Sequence, residues 1–148
     1  MELNPFELIE CNELPNKEDV YDFNYIDLVR SVTDKVDWII EAGFRDYQGD
    51  FFFLGKDKDN NIYYIVSGYG SCSGCDALQA CDNFEDVKTL RDDLKRSIRK
   101  FNSLNEFESL FNKEAQTEWY STDDVKEFVK EVNSNLSINL SWREEDEF

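Results

Sequence analysis

Two short apolar runs, Phe51 to Leu54 and Ile62 to Val66, stand on either side of a polar turn centred on Asp57 to Asn61. The pattern predicts a β-hairpin. Successive side chains of a strand point to opposite faces, so a strand with one solvated face alternates apolar and polar residues; these runs are apolar at consecutive positions. Both faces of the hairpin therefore need cover, and the flanking segments have to supply it.

Those segments carry helical periodicity. From Tyr25 to Ala42 the apolar positions Val29, Val32, Val36, Ile39 and Ile40 recur at steps of three and four, and Gly43 follows as a stop, which predicts one amphipathic helix. Phe84, Val87, Leu90, Leu94, Ile98 and Phe101 mark a second long helix, with Asn83 as its cap and Glu85 and Asp86 in its first turn. Ser103 and Glu106 have capping-box spacing, and Ser121 or Thr122 starts a helix carrying Val125, Phe128, Val129 and Val132. A last strand is expected through Ile138 to Trp142. With 148 residues, two prolines and no internal repeat, the expectation is a single domain, 1–148. Its class is α+β: several helices packed around a small antiparallel sheet, with a central hairpin and a metal-braced loop.

The charge is lopsided: 33 acidic residues oppose 16 basic ones, with no histidine and a net charge of -17. Such a field repels nucleic acid and anionic membrane and favours a basic partner, so no direct nucleic-acid contact is expected. The first 27 residues hold eight acids against Lys17 alone, and the chain ends in "REEDEF". Charge runs ordinarily form a solvated surface; the sharper alternative is a surface that imitates nucleic acid. Glu18, Asp19, Asp22, Glu144, Glu145 and Asp146 are the candidate partner contacts. No apolar run is long enough for a membrane span, and the first residues are acidic where a signal peptide is basic. The expectation is a cytoplasmic chain with reduced thiols.

The segment "GYGSCSGCDALQAC" places Cys72, Cys75 and Cys81 in a C-x2-C-x5-C pattern, with Asp76 or the distant Cys11 available as a fourth ligand. A two-residue gap lets two thiolates of one turn meet one ion, and soft thiolates select zinc or iron–sulfur; a compact domain favours zinc. Three buried or merely free cysteines are the plain alternative. A thioredoxin-like dithiol fits the local strand, loop, C-x2-C order, but both prolines precede the cluster and a third thiol lies close by. A zinc deaminase reading, with Cys11 and a proton-shuttling Glu13, meets Pro15 two residues later and Ser71 where a proline belongs. Without histidine there is no conventional Ser/His or Cys/His pair, and no phosphate-cradling loop is present. The sequence argues for a non-enzymatic role.

Lys88, Arg91, Lys95 and Arg99 fall at steps of three, four and four, which predicts a basic stripe along the second long helix, beside Arg96 and Lys100. The plain reading pairs it with the chain's own acids, Asp92 and Asp93 included; the sharper one has it touch RNA or an acidic partner.

The stretch Tyr47 to Cys81, about a quarter of the chain, resembles small phage and prophage proteins of Gram-positive bacteria in which a tyrosine-rich hairpin leads into a "GSCSGCD"-like cluster. Within that group it resembles zinc-containing type II anti-CRISPR proteins. The resemblance implies a protein made during infection that binds the host's type II CRISPR effector nuclease and prevents target DNA from loading, with a zinc ion bracing the fold. It carries Cys72, Cys75 and Cys81 over as zinc ligands and leaves the fourth open. Two alternatives are a zinc-dependent hydrolase or deaminase using Glu13, and a zinc-braced acidic accessory protein with another basic partner.

Overall fold

A computed structural model describes residues 13–45, 48–70, 76–114 and 122–141. Helix α1 (Tyr25–Arg30) leads to strands β1 (Asp37–Gly43), β2 (Gly49–Lys56) and β3 (Ile62–Tyr69). Helix α2 (Phe84–Ser97), strand β4 (Arg99–Phe101) and helices α3 (Leu104–Glu114) and α4 (Thr122–Leu136) follow. The four strands form one antiparallel sheet in the order β1-β2-β3-β4. The class is α+β, as expected.

The hairpin is the centre of the sheet, and its double apolarity is used as the pattern requires. Phe51, Phe53, Tyr63 and Ile65 point into one core with residues of α1 and α2, while Phe52, Leu54, Ile62 and Tyr64 point into a second core with residues of α3 and α4. All four residues from Phe51 to Leu54 are fully buried. The turn is organised by Asp57, whose carboxylate accepts from the backbone of Asp59 (2.9 Å) and Asn61 (3.0 Å), the Asn61 side chain (3.0 Å) and the Tyr63 hydroxyl (2.8 Å). Asn60 takes the left-handed conformation, φ 64°, which asparagine tolerates better than most residues.

The single helix expected over Tyr25 to Ala42 is corrected to a six-residue helix followed by a strand. Asn24 and Asp27 form a reciprocal capping box, and the helix ends at Ser31, whose hydroxyl donates to the Leu28 carbonyl at 2.8 Å. The periodicity misled because it crosses two elements: Val29, Val32 and Val36 belong to the first core, Ile40 to the second. A bulge between Trp38 and Ile40 makes this possible. Trp38 packs on the first core and Ile40 on the second although their numbers share parity, because the extra residue reverses which face even positions take.

Asn83 caps α2 as expected, accepting from Asp86 N–H at 2.9 Å, and Ser103 accepts from Glu106 N–H at 3.2 Å before α3. The strand expected through Ile138 to Trp142 is absent over 138–141, and Trp142 lies outside the described residues. Side chains replace the ladder there. Asn133 accepts from Leu140 N–H (2.7 Å), Asn112 from Ser141 N–H (2.7 Å) and Glu108 from Asn139 N–H (2.7 Å), tying the segment to α3 and α4. The basic stripe is also corrected. Arg99 sits on β4 rather than α2, and Arg91 is buried, its guanidinium bonded to Asp92 at 3.1 Å and reaching the Ser31 carbonyl at 3.5 Å. Arg96 pairs with Asp93, so the arginines of α2 serve the chain's own acids. No helix among the described residues is long and apolar enough to cross a membrane.

Candidate functional site

At the end of β3 the chain leaves the sheet at Tyr69 and Gly70 and re-enters the described structure at Asp76. Asp76 closes this loop. One carboxylate oxygen accepts from Gly70 N–H at 2.7 Å; the other accepts from Leu78 N–H (2.8 Å), Gln79 N–H (3.1 Å) and the Tyr25 hydroxyl (2.9 Å). The Gln79 side chain adds a bond to the Gly70 carbonyl at 3.0 Å. Gly70 and Asp76, the described residues on either side of 71–75, are thus held together by one buried acid. Tyr25 joins it to α1, and burial together with the Asp76 bond raises the Tyr25 hydroxyl well above its ordinary pKa.

Cys81 follows the turn that Asp76 starts. It is a free, buried thiol, its Sγ 3.4 Å from the Ala77 carbonyl, and burial and the acids Asp86, Asp76 and Asp82 raise its pKa. Cys72 and Cys75 lie outside the described residues, as do Cys11 and the acids Glu144, Glu145 and Asp146. Among the described residues no three Cys, His, Asp or Glu side chains form a group able to hold a metal ion. Glu13 is exposed, and residues 13–17 form no helix, whereas the deaminase signature places its glutamate on one.

Beside the loop lies a groove of about 390 Å3 lined by Phe23, Tyr25, Phe44, Tyr69, Asp76 and Leu78 among others. Its rings touch one another: Phe44 stacks on Tyr25 (centroids 6.0 Å, 21°) and meets Tyr69 at 4.8 Å. Three large apolar side chains are exposed among the described residues, and one of them, Phe44, lines this groove. Phe44 is 39% exposed, Phe84, 47% exposed, packs edge-on against Phe23, and Tyr21, 74% exposed, lies in the 3-10 turn Val20–Asp22 just before Phe23. Asp19 caps that turn, accepting from Tyr21 N–H at 3.2 Å. The expected contacts Glu18, Asp19 and Asp22 are all exposed beside Tyr21, and Asp82 and Glu85 are exposed beside Phe84. Phe23, the residue after this acidic segment, lines the groove and packs on Phe84. Phe44 directly follows Gly43, the last residue of β1, and both take positive φ, which turns the chain out of the strand there.

A third feature holds the opposite side of Tyr69. Asp124, completely buried in the first turn of α4, accepts from Arg45 N–H (2.9 Å), Asp50 N–H (3.1 Å) and the Tyr69 hydroxyl (2.8 Å). Glu127, one turn on, accepts from Gly43 N–H at 3.2 Å. Asp124 is the anchor that ties α4 to Arg45 and to the start of β2.

No protein-family model, curated protein or solved structure matches the chain.

Proposed function

We propose that this chain is a protein-binding module that engages a basic protein surface, and that its target is the type II CRISPR nuclease implied by the resemblance of its central segment. The reading is non-enzymatic: the module occupies the nuclease and prevents target DNA from loading. The observation that carries it is the exposure of the aromatic side chains Tyr21, Phe44 and Phe84 together with that of the acids Glu18, Asp19 and Asp22 flanking Tyr21 in sequence and Asp82 and Glu85 flanking Phe84. Exposed aromatic rings supply contact area, and carboxylates around them steer a basic partner and reject an acidic one. A nucleic-acid channel in such a nuclease is a positively charged surface of the kind this field attracts.

In the same reading a zinc ion braces the loop between Gly70 and Cys81, with Cys72, Cys75 and Cys81 as ligands. The four donors bonded to Asp76 commit that carboxylate to closing the loop, which favours Cys11 as the fourth ligand. Zinc there supplies structural cross-linking and no chemistry.

The test is a mobility-shift assay of target DNA with guide-loaded nuclease, preincubated with the chain in excess. The reading expects loss of the DNA-bound band. Unchanged DNA binding and cleavage at saturating chain overturns it.

A further inference from the structure

The sheet has two edges, and they are guarded differently. Along β1 the ladder is broken by the bulge after Trp38, Glu41 is paired with Arg30, and the Gly43 N–H donates to Glu127 of α4 at 3.2 Å. Along the opposite edge β4 covers only Ile62, Tyr63 and Tyr64 of β3. The direction of each backbone group of β3 follows from the hairpin. Asp57 N–H donates to the Asn61 carbonyl at 3.1 Å, and the β2–β3 register runs from Lys56 opposite Ile62 to Gly49 opposite Tyr69 without a shift. Opposed residues of an antiparallel ladder are bonded at alternate positions, so Tyr63, Ile65, Ser67 and Tyr69 bond to β2, while Ile62, Tyr64, Val66 and Gly68 turn their N–H and C=O groups outward. Gly70 continues that outward row: its N–H donates to Asp76 at 2.7 Å and its C=O accepts from the Gln79 side chain at 3.0 Å. Ile62 and Tyr64 are met by Phe101 and Arg99 of β4. Val66, half-buried, and Gly68, exposed, stand between these two covers and meet no strand among the described residues.

Open edges are ordinarily blunted by a charge, a proline or a bulge. This one has none of them: in a chain that is 33% charged, the run from Ile62 to Cys75 holds no charged residue and no proline. Each of Val66 and Gly68 offers one N–H and one C=O, a spacing of donors and acceptors that the backbone of an extended peptide matches. A Cβ at Gly68 would have only the Gly49 carbonyl near it, at 3.6 Å, and Val66, on the same face of the strand, packs against the second core. Residues directly opposite in a ladder share a face, so a large apolar side chain opposite Gly68 would cover bare backbone beside Val66. Charge selects among such peptides: at -17 the chain attracts a cationic segment and repels an acidic one, a second copy of itself included.

We propose that Val66 and Gly68 accept an extended, cationic segment of a basic protein partner as an added strand in line with β4, with a large apolar side chain opposite Gly68. This deepens, and rests on, the reading of the chain as a ligand of a basic protein surface; it names how that partner's backbone is held.

The experiment uses the full chain, 15N-labelled. In the free chain the Val66 and Gly68 amides should exchange with deuterium at least about tenfold faster than those of Ile65 and Ser67, which bond to β2. The probe is the acetylated, amidated peptide Lys-Phe-Thr-Val-Lys, beside the same peptide with glutamate for lysine and the same peptide N-methylated at Phe and Val. The lysine peptide is expected to shift and protect the Val66 and Gly68 amides, at least about fivefold more strongly than the glutamate peptide, and the N-methylated peptide, which cannot donate to the edge, is expected to leave them unchanged. Slow exchange at Val66 and Gly68 in the free chain, equal responses to the three peptides, or no response to the lysine peptide overturns the proposal. Gly68→Pro removes an outward N–H and no ladder bond, and should abolish the response; where that variant fails to fold, the N-methylated peptide decides on the unaltered chain. The choice of target is tested separately. If the lysine peptide protects the edge while the chain leaves the nuclease unaffected, the edge assignment stands and the target does not. If the chain and a folded Gly68→Pro variant block the nuclease equally and the peptide leaves Val66 and Gly68 unmoved, the edge assignment falls alone.

Discussion

Replacing Asp124 by alanine should be among the most damaging single changes to this fold, and the size of the effect can be worked from its surroundings. The carboxylate is completely buried and accepts from Arg45 N–H, Asp50 N–H and the Tyr69 hydroxyl. Arg45 is exposed, so water can take over its N–H, whereas Asp50 and Tyr69 are buried and lose this acceptor outright. Each buried donor deprived of its acceptor costs about 1–3 kcal/mol, so two give about 4 kcal/mol. That is a large fraction of the roughly 5–15 kcal/mol that holds an ordinary domain together. For a chain of this size it corresponds to a fall of about 12 °C in Tm. Asp124→Asn keeps one acceptor oxygen but turns an amide donor toward donors, and should fall between the two, about 2 kcal/mol down. The exposed neighbour Asp123 is the control, its alanine variant staying within about 0.5 kcal/mol of the parent. Urea unfolding followed by circular dichroism gives all three values. An Asp124→Ala variant within about 1 kcal/mol of the parent would refute the claim that this carboxylate anchors α4 to the sheet.

Gly55 and Gly68 should part company. A Cβ at Gly55 would lie 2.7 Å from both the Asp37 carbonyl and Val36, so Gly55→Ala lowers stability by more than about 1 kcal/mol, while at Gly68 the nearest atom is 3.6 Å away and Gly68→Ala is neutral or mildly stabilising in the same urea assay. Acid should loosen the hairpin turn through Asp57. Burial pushes its pKa up, but the Asn61 side chain, the Tyr63 hydroxyl and the backbone of Asn61 and Asp59 outweigh it and hold the carboxyl below its ordinary 3.8. The folded pKa is the lower one, so the stabilisation is complete above about pH 4 and is lost as pH falls through the folded value. Tm plotted against pH for Asp57→Asn should therefore converge on the parent curve at low pH; curves that stay parallel there would count against it. For the metal, mass spectrometry on protein purified without a histidine tag should find one zinc per chain. The C72S/C75S/C81S variant should lose it together with thermal stability; a metal-free parent, or a variant equally stable, refutes the braced loop.

The parts of this fold that could be read in advance are those in which local pattern and final environment agree. The runs Phe51 to Leu54 and Ile62 to Val66 announced a two-sided hairpin, and both faces are covered. Asn83 and Ser103 sit at helix starts because capping is a short-range bond between near neighbours. Failures arose where a periodic pattern spanned a break. The steps from Val29 to Ile40 fit one helix arithmetically, yet the Ser31 cap and the bulge after Trp38 distribute them over two elements and two cores. Arg91 falls at stripe spacing, but its partner Ser31 lies sixty residues away in sequence, a proximity that no local spacing encodes.

The site was legible in kind but not in place. Acidic residues at 18–22 and the cysteine cluster stand out in the sequence; their link does not. It runs through long-range bonds such as Tyr25 to Asp76, separated by 51 positions, which no local pattern encodes. Asp76 drew notice as a ligand because it follows Cys75. The bonds it makes are those of a loop clasp.

The central proposal is that the acidic segment around the exposed Tyr21 binds a type II CRISPR nuclease. Its most direct measurement is calorimetric titration of guide-loaded nuclease with the parent chain and with a Glu18→Gln, Asp19→Asn, Asp22→Asn triple variant, at two salt concentrations. The account predicts saturable binding by the parent that weakens as salt rises, and at least about tenfold weaker binding by the triple variant. A parent that releases no heat and forms no complex with the nuclease, or a triple variant that binds as tightly as the parent, would contradict it.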